Sequence, residues 1–192
     1  MDFRFEIMTE VSINKQARLS QHLTSSSVAT LGHSNELDGS RLSPHFTLGE
    51  MCKTSAKTAD GNIPSHVHIE NLKRLCGWLE MLRSEWNKRY GEGDDSIVIN
   101  SGYRSEAVNK AVGGVSGSNH LTGCAADIRV AGIEQLVRYA TILLDISDES
   151  CEDFDELLLE RSPRGGYWLH FAVRPSGNRH KVRLIQTSNS QY

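Results

Sequence analysis

Apolar residues recur at three- and four-residue steps through Ile69, Leu72, Cys76, Leu79, Leu82 and Trp86, while Lys73, Arg74, Glu80, Arg83 and Lys88 fall mostly on the other side. A period of 3.6 residues predicts a core-facing helix that begins after Pro64-Ser65 and ends near Tyr90-Gly91. Upstream, apolar residues return at Leu42 to Met51, where Thr47 is placed to cap a short helical turn. Downstream, a second helix is expected over Glu106 to Val112, closed by Gly113-Gly114. Another runs from Ile133 to about Leu144, with Leu136, Ala140 and Leu143 at helical steps. Ile97-Val98-Ile99-Asn100 is a short strand candidate that Ser101-Gly102-Tyr103-Arg104-Ser105 stops.

Two further segments alternate with the period of a strand. In Ala125 to Val130, Ala125, Asp127 and Arg129 share one face and Ala126, Ile128 and Val130 the other. In Trp168 to Val173, Trp168, His170 and Ala172 face one way and Leu169, Phe171 and Val173 the other. Asp127 and His170 thus both sit opposite an apolar row. Two neighbouring strands could present them together while burying Ile128, Val130, Leu169 and Phe171 against helices. The fold class this implies is α+β, a small, mainly antiparallel sheet with helices packed on one face.

Residues 1–41 read differently. From about Ser12 to Ser43 the chain is rich in Ser, Thr, Asn and Gln, and the run Thr24-Ser25-Ser26-Ser27 offers nothing to bury, so a flexible or loosely packed leader is expected over 1–41, with one domain over 42–192. The net charge of −3 and the lack of a basic stripe interleaved with aromatics argue against a nucleic-acid partner. No run of about 18 apolar residues is present, so no membrane span is expected. Met1-Asp2-Phe3-Arg4-Phe5-Glu6-Ile7 carries acids and no long apolar core, unlike a secretory signal. Cys52, Cys76, Cys124 and Cys151 are widely spaced and match no zinc-finger pattern; all four are expected to be reduced, with Cys76 and Cys124 buried.

The chemistry lies in Ser118-Asn119-His120-Leu121-Thr122-Gly123-Cys124-Ala125-Ala126-Asp127 and in Trp168-Leu169-His170-Phe171. Two imidazoles and a carboxylate make a three-ligand set suited to a catalytic zinc, which keeps a fourth position open for water. A closed structural site would offer four ligands. Gly123 fits a sharp turn between a loop ligand and a strand ligand, because glycine tolerates positive φ. His66 and His68, two apart at a helix start, point in different directions and are a poor chelating pair.

Ser-x-His-x-x-Gly-x-Ala-x-Asp, preceded by Ser101-Gly102-Tyr103-Arg104-Ser105 and followed by Trp-x-His, resembles the zinc D-alanyl-D-alanine carboxypeptidase family. That group of peptidoglycan peptidases includes D-alanyl-D-alanine dipeptidases and phage L-alanyl-D-glutamate endopeptidases, and shares its fold with the hedgehog domain. The resemblance covers roughly Leu42 to Val173. It implies His120, Asp127 and His170 as zinc ligands, Arg104 as the donor facing the scissile carbonyl, and Ser118 as a residue near the ligands that helps to hold substrate. Ser118 can equally be a loop hydroxyl bonded to its own backbone. His180 is the fallback ligand for His170.

Some branches of that family place an acid three residues before the last histidine, where this chain has Tyr167. Glu160, from Phe154-Asp155-Glu156-Leu157-Leu158-Leu159-Glu160, is the expected general base, with Glu156 and Asp155 as alternatives. Pro163 and Gly165-Gly166 supply a turn between two apolar runs, so a hairpin is plausible. In an even register Glu160 shares the His170 face, across from Trp168 and diagonal to His170; an odd register turns it away.

The function expected is zinc-dependent hydrolysis of peptidoglycan stem peptides containing D-amino acids, with carboxypeptidase slightly favoured over an L-Ala-D-Glu-type endopeptidase or endolysin. Two rivals stand beside it. One is a non-catalytic zinc-bearing module that binds cell wall or belongs to a virion, and the other is a metal-dependent amidase, which fits the ligands but not the surrounding motifs. With no visible signal, the expected location is bacterial cytoplasm, or phage-encoded with release to the wall. Oligomeric state is not legible.

Overall fold

Ser65 and His68 start the longest helix by satisfying each other's backbone. The Ser65 hydroxyl accepts from the His68 amide at 3.4 Å and the His68 Nδ1 accepts from the Ser65 amide at 3.3 Å. A computed structural model describes residues 39–91 and 93–186. These residues belong to one unit of contacts, His33–Tyr192. The leader expected over 1–41 lies outside the described residues except for its last three.

Among the described residues, four α-helices and five strands follow in chain order. Helix α1 is Leu48–Met51, α2 is His66–Arg89, α3 is Glu106–Ala111 and α4 is Ile133–Ser150. The strands are β1 (Ile99–Ser101), β2 (Ala125–Arg129), β3 (Glu156–Arg161), β4 (Tyr167–Ala172) and β5 (Lys181–Gln186). Thr47 caps α1 through its side chain, as its position suggests. α2 ends at Tyr90, where Lys88 and Arg89 in the last turn complement the helix dipole.

α4 runs six residues past the expected Leu144. Ile146 and Ser147 are buried and continue its inner face, and Cys151, at φ +56°, stops it. The sequence reading ended the helix too early because polar residues dominate its last turn. The first strand is shifted as well: its ladder spans Ile99–Ser101 rather than 97–100, because pairing with β2 begins only at Ile99. β2 and β4 each stop one residue short of the expected Val130 and Val173, and β4 starts one earlier, at Tyr167.

The sheet order is β1-β2-β4-β3-β5. Three neighbouring pairs are antiparallel, and β3 with β5 is parallel. The architecture is α+β, with a mixed sheet whose parallel edge strand the sequence reading did not foresee. One face carries Ile99, Ala126, Ile128, Leu157, Leu169 and Phe171 into a core with Leu72, Leu75, Leu79 and Leu82 of α2 and Leu136, Tyr139 and Leu143 of α4. Trp86 of α2 meets Tyr139 of α4 edge-on at 4.9 Å between ring centres. The other face holds the polar cluster described next. Cys76 and Cys124 are buried, and all four cysteines are free.

Candidate metal centre

Strand register brings the first two donors together. Asp127 lies directly opposite His170 across the β2–β4 ladder, and the His170 Nδ1 is 2.9 Å from the Asp127 Oδ1. The third donor comes from a 3₁₀ turn, Asn119–Thr122, that precedes β2. His120 on that turn places Nε2 at 3.2 Å from the same Asp127 oxygen. The donor atoms all lie within 4.8 Å of one another, close enough to hold one metal ion.

Local backbone features aim His120. The Ser118 hydroxyl accepts from the His120 amide at 3.3 Å and caps the turn, and Gly123 ends it at φ +71°. A Cβ at Gly123 would stand 2.6 Å from the His68 carbonyl oxygen and 3.2 Å from Leu72 Cγ, so the loop lies close against α2. Asn71 adds a bond to the Thr122 carbonyl at 2.9 Å. Gly123→Ala should therefore destabilise the fold by about 2 kcal/mol or more, from the left-handed conformation plus the clash. Thermal unfolding checks this, and an unchanged Tm would refute the tight-turn account.

The imidazoles are set up to ligate. The His120 Nδ1 lies 2.6 Å from the Gly102 carbonyl oxygen, an acceptor only, so the proton sits on Nδ1 and Nε2 keeps its lone pair. His120 and His170 are 2% and 7% exposed, which shields the donors from competing water. Burial pushes the Asp127 carboxyl up, but the charges and hydrogen bonds of His120 and His170 outweigh it and hold the group well below the usual carboxylate range. Burial likewise lowers His170, yet Asp127 and Glu156 raise it to about 9. Each shift reflects the mutual attraction of the carboxylate and the imidazoles.

Arg104 is bound to this centre. Its Nε donates to Ser101 Oγ at 2.8 Å and its Nη2 donates to Asp127 Oδ2, the carboxylate oxygen that the histidines do not share. That geometry fixes the guanidinium beside the cluster and leaves Nη1 without a partner among the described residues. Ser118 is engaged with backbone and lines a cavity of about 360 Å³ with Asn119 and Arg174, a cavity that none of the three donor residues lines.

The acids separate by environment. β3 and β4 pair so that Glu160 lies opposite Trp168 and Leu158 opposite His170, which puts Glu160 on the His170 face, diagonal to it. Burial raises the Glu160 carboxyl, with His170 and Arg104 pulling it down and Asp127 and Glu156 pushing it up. It has no hydrogen-bond or ion-pair partner among the described residues. Asp155 and Glu156 are held quite differently. Asp155 is fully buried and takes two hydrogen bonds from Arg179, at 2.7 and 2.6 Å, and one from Asn119 at 2.7 Å. Glu156 accepts from Lys181 at 2.7 Å, and the attraction of His170 and Lys181 holds it far below the usual range despite burial.

Tyr167 has a structural reason to lack a carboxylate. In β4 its side chain falls on the Leu169 and Phe171 face and packs against the core, so an acid there would point away from His170. His180 is elsewhere too: its Nδ1 is 3.0 Å from Asp153 and its ring stacks on Phe154. His68 is occupied in capping α2 and lies against Tyr103. What the sequence reading missed is the cluster of Asn119, Arg174, Arg179 and Lys181 around the two β3 acids, for which no spacing in the chain gave a signal.

The profile of the Peptidase M15 family matches residues 44–144. The chain belongs to the Peptidase M15 family. The match takes in Arg104, Ser118, His120 and Asp127, and this M15 chain adds His170 and Glu160 beyond it through strand register. A similar protein is the zinc D-Ala-D-Ala carboxypeptidase of Streptomyces albus G, 30% identical over 84 residues. That stretch covers 44% of this chain and 31% of the relative, so the similarity spans about a third of the relative's length. Among the described residues, no helix of this M15 protein is long and apolar enough to cross a membrane.

Proposed function

We propose that the chain is a zinc-dependent peptidase acting on peptidoglycan stem peptides that contain D-amino acids. The observation that carries the proposal is the convergence of His120 Nε2, Asp127 Oδ1 and His170 Nδ1 on one face of the sheet, with an unpartnered, desolvated Glu160 beside them. Two nitrogens and one oxygen are the donor set zinc takes in open, catalytic sites. Held by these residues, zinc would supply Lewis-acid polarisation of the scissile carbonyl and would acidify water.

The chain's own groups divide the remaining work. Glu160 takes the proton of the attacking water and returns it to the leaving amine; its raised pKa moves it toward the working pH, where a base is both ionised and basic. Glu156 and Asp155 are poor candidates for that role, because strong cationic partners keep them ionised and engaged. The Arg104 Nη1 donates to the oxyanion that develops on the carbonyl, an effect worth a few kcal/mol of barrier. The sheet floor of Trp168 and Leu158 flanks the reacting centre. Trimming of a terminal D-alanine is favoured over internal cleavage of the stem by the activity named for the Streptomyces relative. The substrate lies in the cell wall, so the proposal carries with it a route there, either phage-encoded release or a bacterial path.

The test is incubation of the purified protein with stem peptides of defined sequence, with products identified by mass. Loss of one D-alanine is the expected product, and a cut within the stem would identify an endopeptidase. A chelator or His120→Ala should abolish product; yield unchanged by both would defeat the zinc mechanism.

A further inference from the structure

A network of charges behind His170 joins β3 to the segment that returns the chain to β5. Lys181 Nζ and Arg179 Nη2 hold the Glu156 Oε1 at 2.7 and 3.0 Å, and Asn119 Nδ2 sits 3.1 Å from Oε2. Asn119 is fixed in turn by Asp155 at 2.7 Å and by Arg174 Nε at 3.0 Å. Oε1 is thus tied to cations, and Oε2 is turned toward the site. There it lies 3.6 Å from the His170 Nε2, an ion-pair distance rather than a hydrogen bond.

The His170 Nε2 is the notable atom. It is buried and has no hydrogen-bond partner, and among the described residues no carboxylate other than Glu156 lies within ion-pair distance of it. An imidazole that ligates through Nδ1 must carry its proton on Nε2, and a buried N–H needs an acceptor. We propose that Glu156 is a positioning residue for the metal centre: its Oε2 accepts the Nε2 proton of His170 and so directs the Nδ1 lone pair at the ion. This rests on the zinc reading above. Asn119 extends the same control to the second histidine, because it bonds Glu156 and is the backbone neighbour of His120.

Zinc dissociation constants from competition with a chromogenic chelator give the test. Glu156→Ala should bind zinc about 10- to 100-fold more weakly than wild type, the usual cost of losing the outer partner of a metal-bound histidine. Glu156→Gln keeps an acceptor oxygen and should lose less. Ile146→Val, a mild change in the core on α4 that touches no member of this network's hydrogen bonds or ion pairs, should leave zinc affinity as it is, so a general loss of stability cannot mimic the effect. Heteronuclear NMR of zinc-loaded wild type should show the His170 proton on Nε2, a readout that needs no variant. A proton on Nδ1, or zinc binding by Glu156→Ala within twofold of wild type, would overturn the inference while leaving the peptidase reading intact. Wild type that takes up no zinc would overturn the reading of the site itself.

Discussion

Glu160→Gln should lower kcat/KM on a stem peptide by about 10²–10⁴-fold, the range typical of a lost general base, while the folded chain stays as stable or becomes more so. The two halves of that expectation have one cause. Burial raises the Glu160 carboxyl, and the attraction of His170 and Arg104 offsets only part of the cost of desolvating its charge. A carboxyl whose folded pKa lies above its unfolded value binds its proton more tightly when folded. Its penalty on stability is therefore present at neutral pH and disappears as pH falls below the unfolded value near 4.3. Glutamine is neutral at every pH and removes the penalty. Wild-type kcat/KM should also fall on the acid side along a limb that lies above the ordinary glutamate pKa, and the variant should lose that limb. A pH–rate profile with thermal unfolding measures both effects. A variant that keeps its activity, or that loses activity together with its Tm, would remove Glu160 as the base.

Asp127→Ala should have the second large effect, because Asp127 Oδ1 is the atom on which both histidines converge and Oδ2 is where Arg104 anchors. Without it the ion loses a ligand and Arg104 loses its orientation. Activity should fall by about 10³-fold or more, given several kcal/mol of transition-state stabilisation from a metal. Stability should respond in parallel. Zinc at about 1,000 times its dissociation constant stabilises the wild type by about 4 kcal/mol, or roughly 10 °C in Tm for a domain of this size. A chelator should remove that increment from the wild type and change the Asp127→Ala Tm little. Equal chelator responses in the two proteins would place the metal elsewhere.

Several parts of this picture are local, and local parts are legible. The 3.6-residue rhythm from Ile69 to Trp86 reports a helix face, since a helix buries one stripe wherever it packs. Alternation in Ala125–Arg129 and Tyr167–Ala172 shows that Asp127 and His170 oppose apolar rows, and Gly123 marks the turn that a neighbouring carbonyl makes obligatory. The end of α4 lies beyond the expected Leu144 because polar residues dominate its last turn while Ile146 and Ser147 still continue the buried stripe.

The acids show the limit most clearly. Glu156 and Glu160 share one strand face, four residues apart, and nothing in their local sequence tells which is free. The difference arises because the chain crosses the start of β3 and adds β5 in parallel, bringing Arg179 and Lys181 onto Glu156 and leaving Glu160 unpartnered. Long-range parallel pairing leaves no period in the sequence, and a one-residue change of register would have turned Glu160 to the core. The sequence by itself determined the helices and the strand faces, because each follows from spacing along a few turns or pleats, and its motifs named His120, Asp127 and His170 as candidate donors. Only the tertiary structure decided which carboxylate is left desolvated beside the donors and which is bound to hold one of them, because charge pairing depends on neighbours in space.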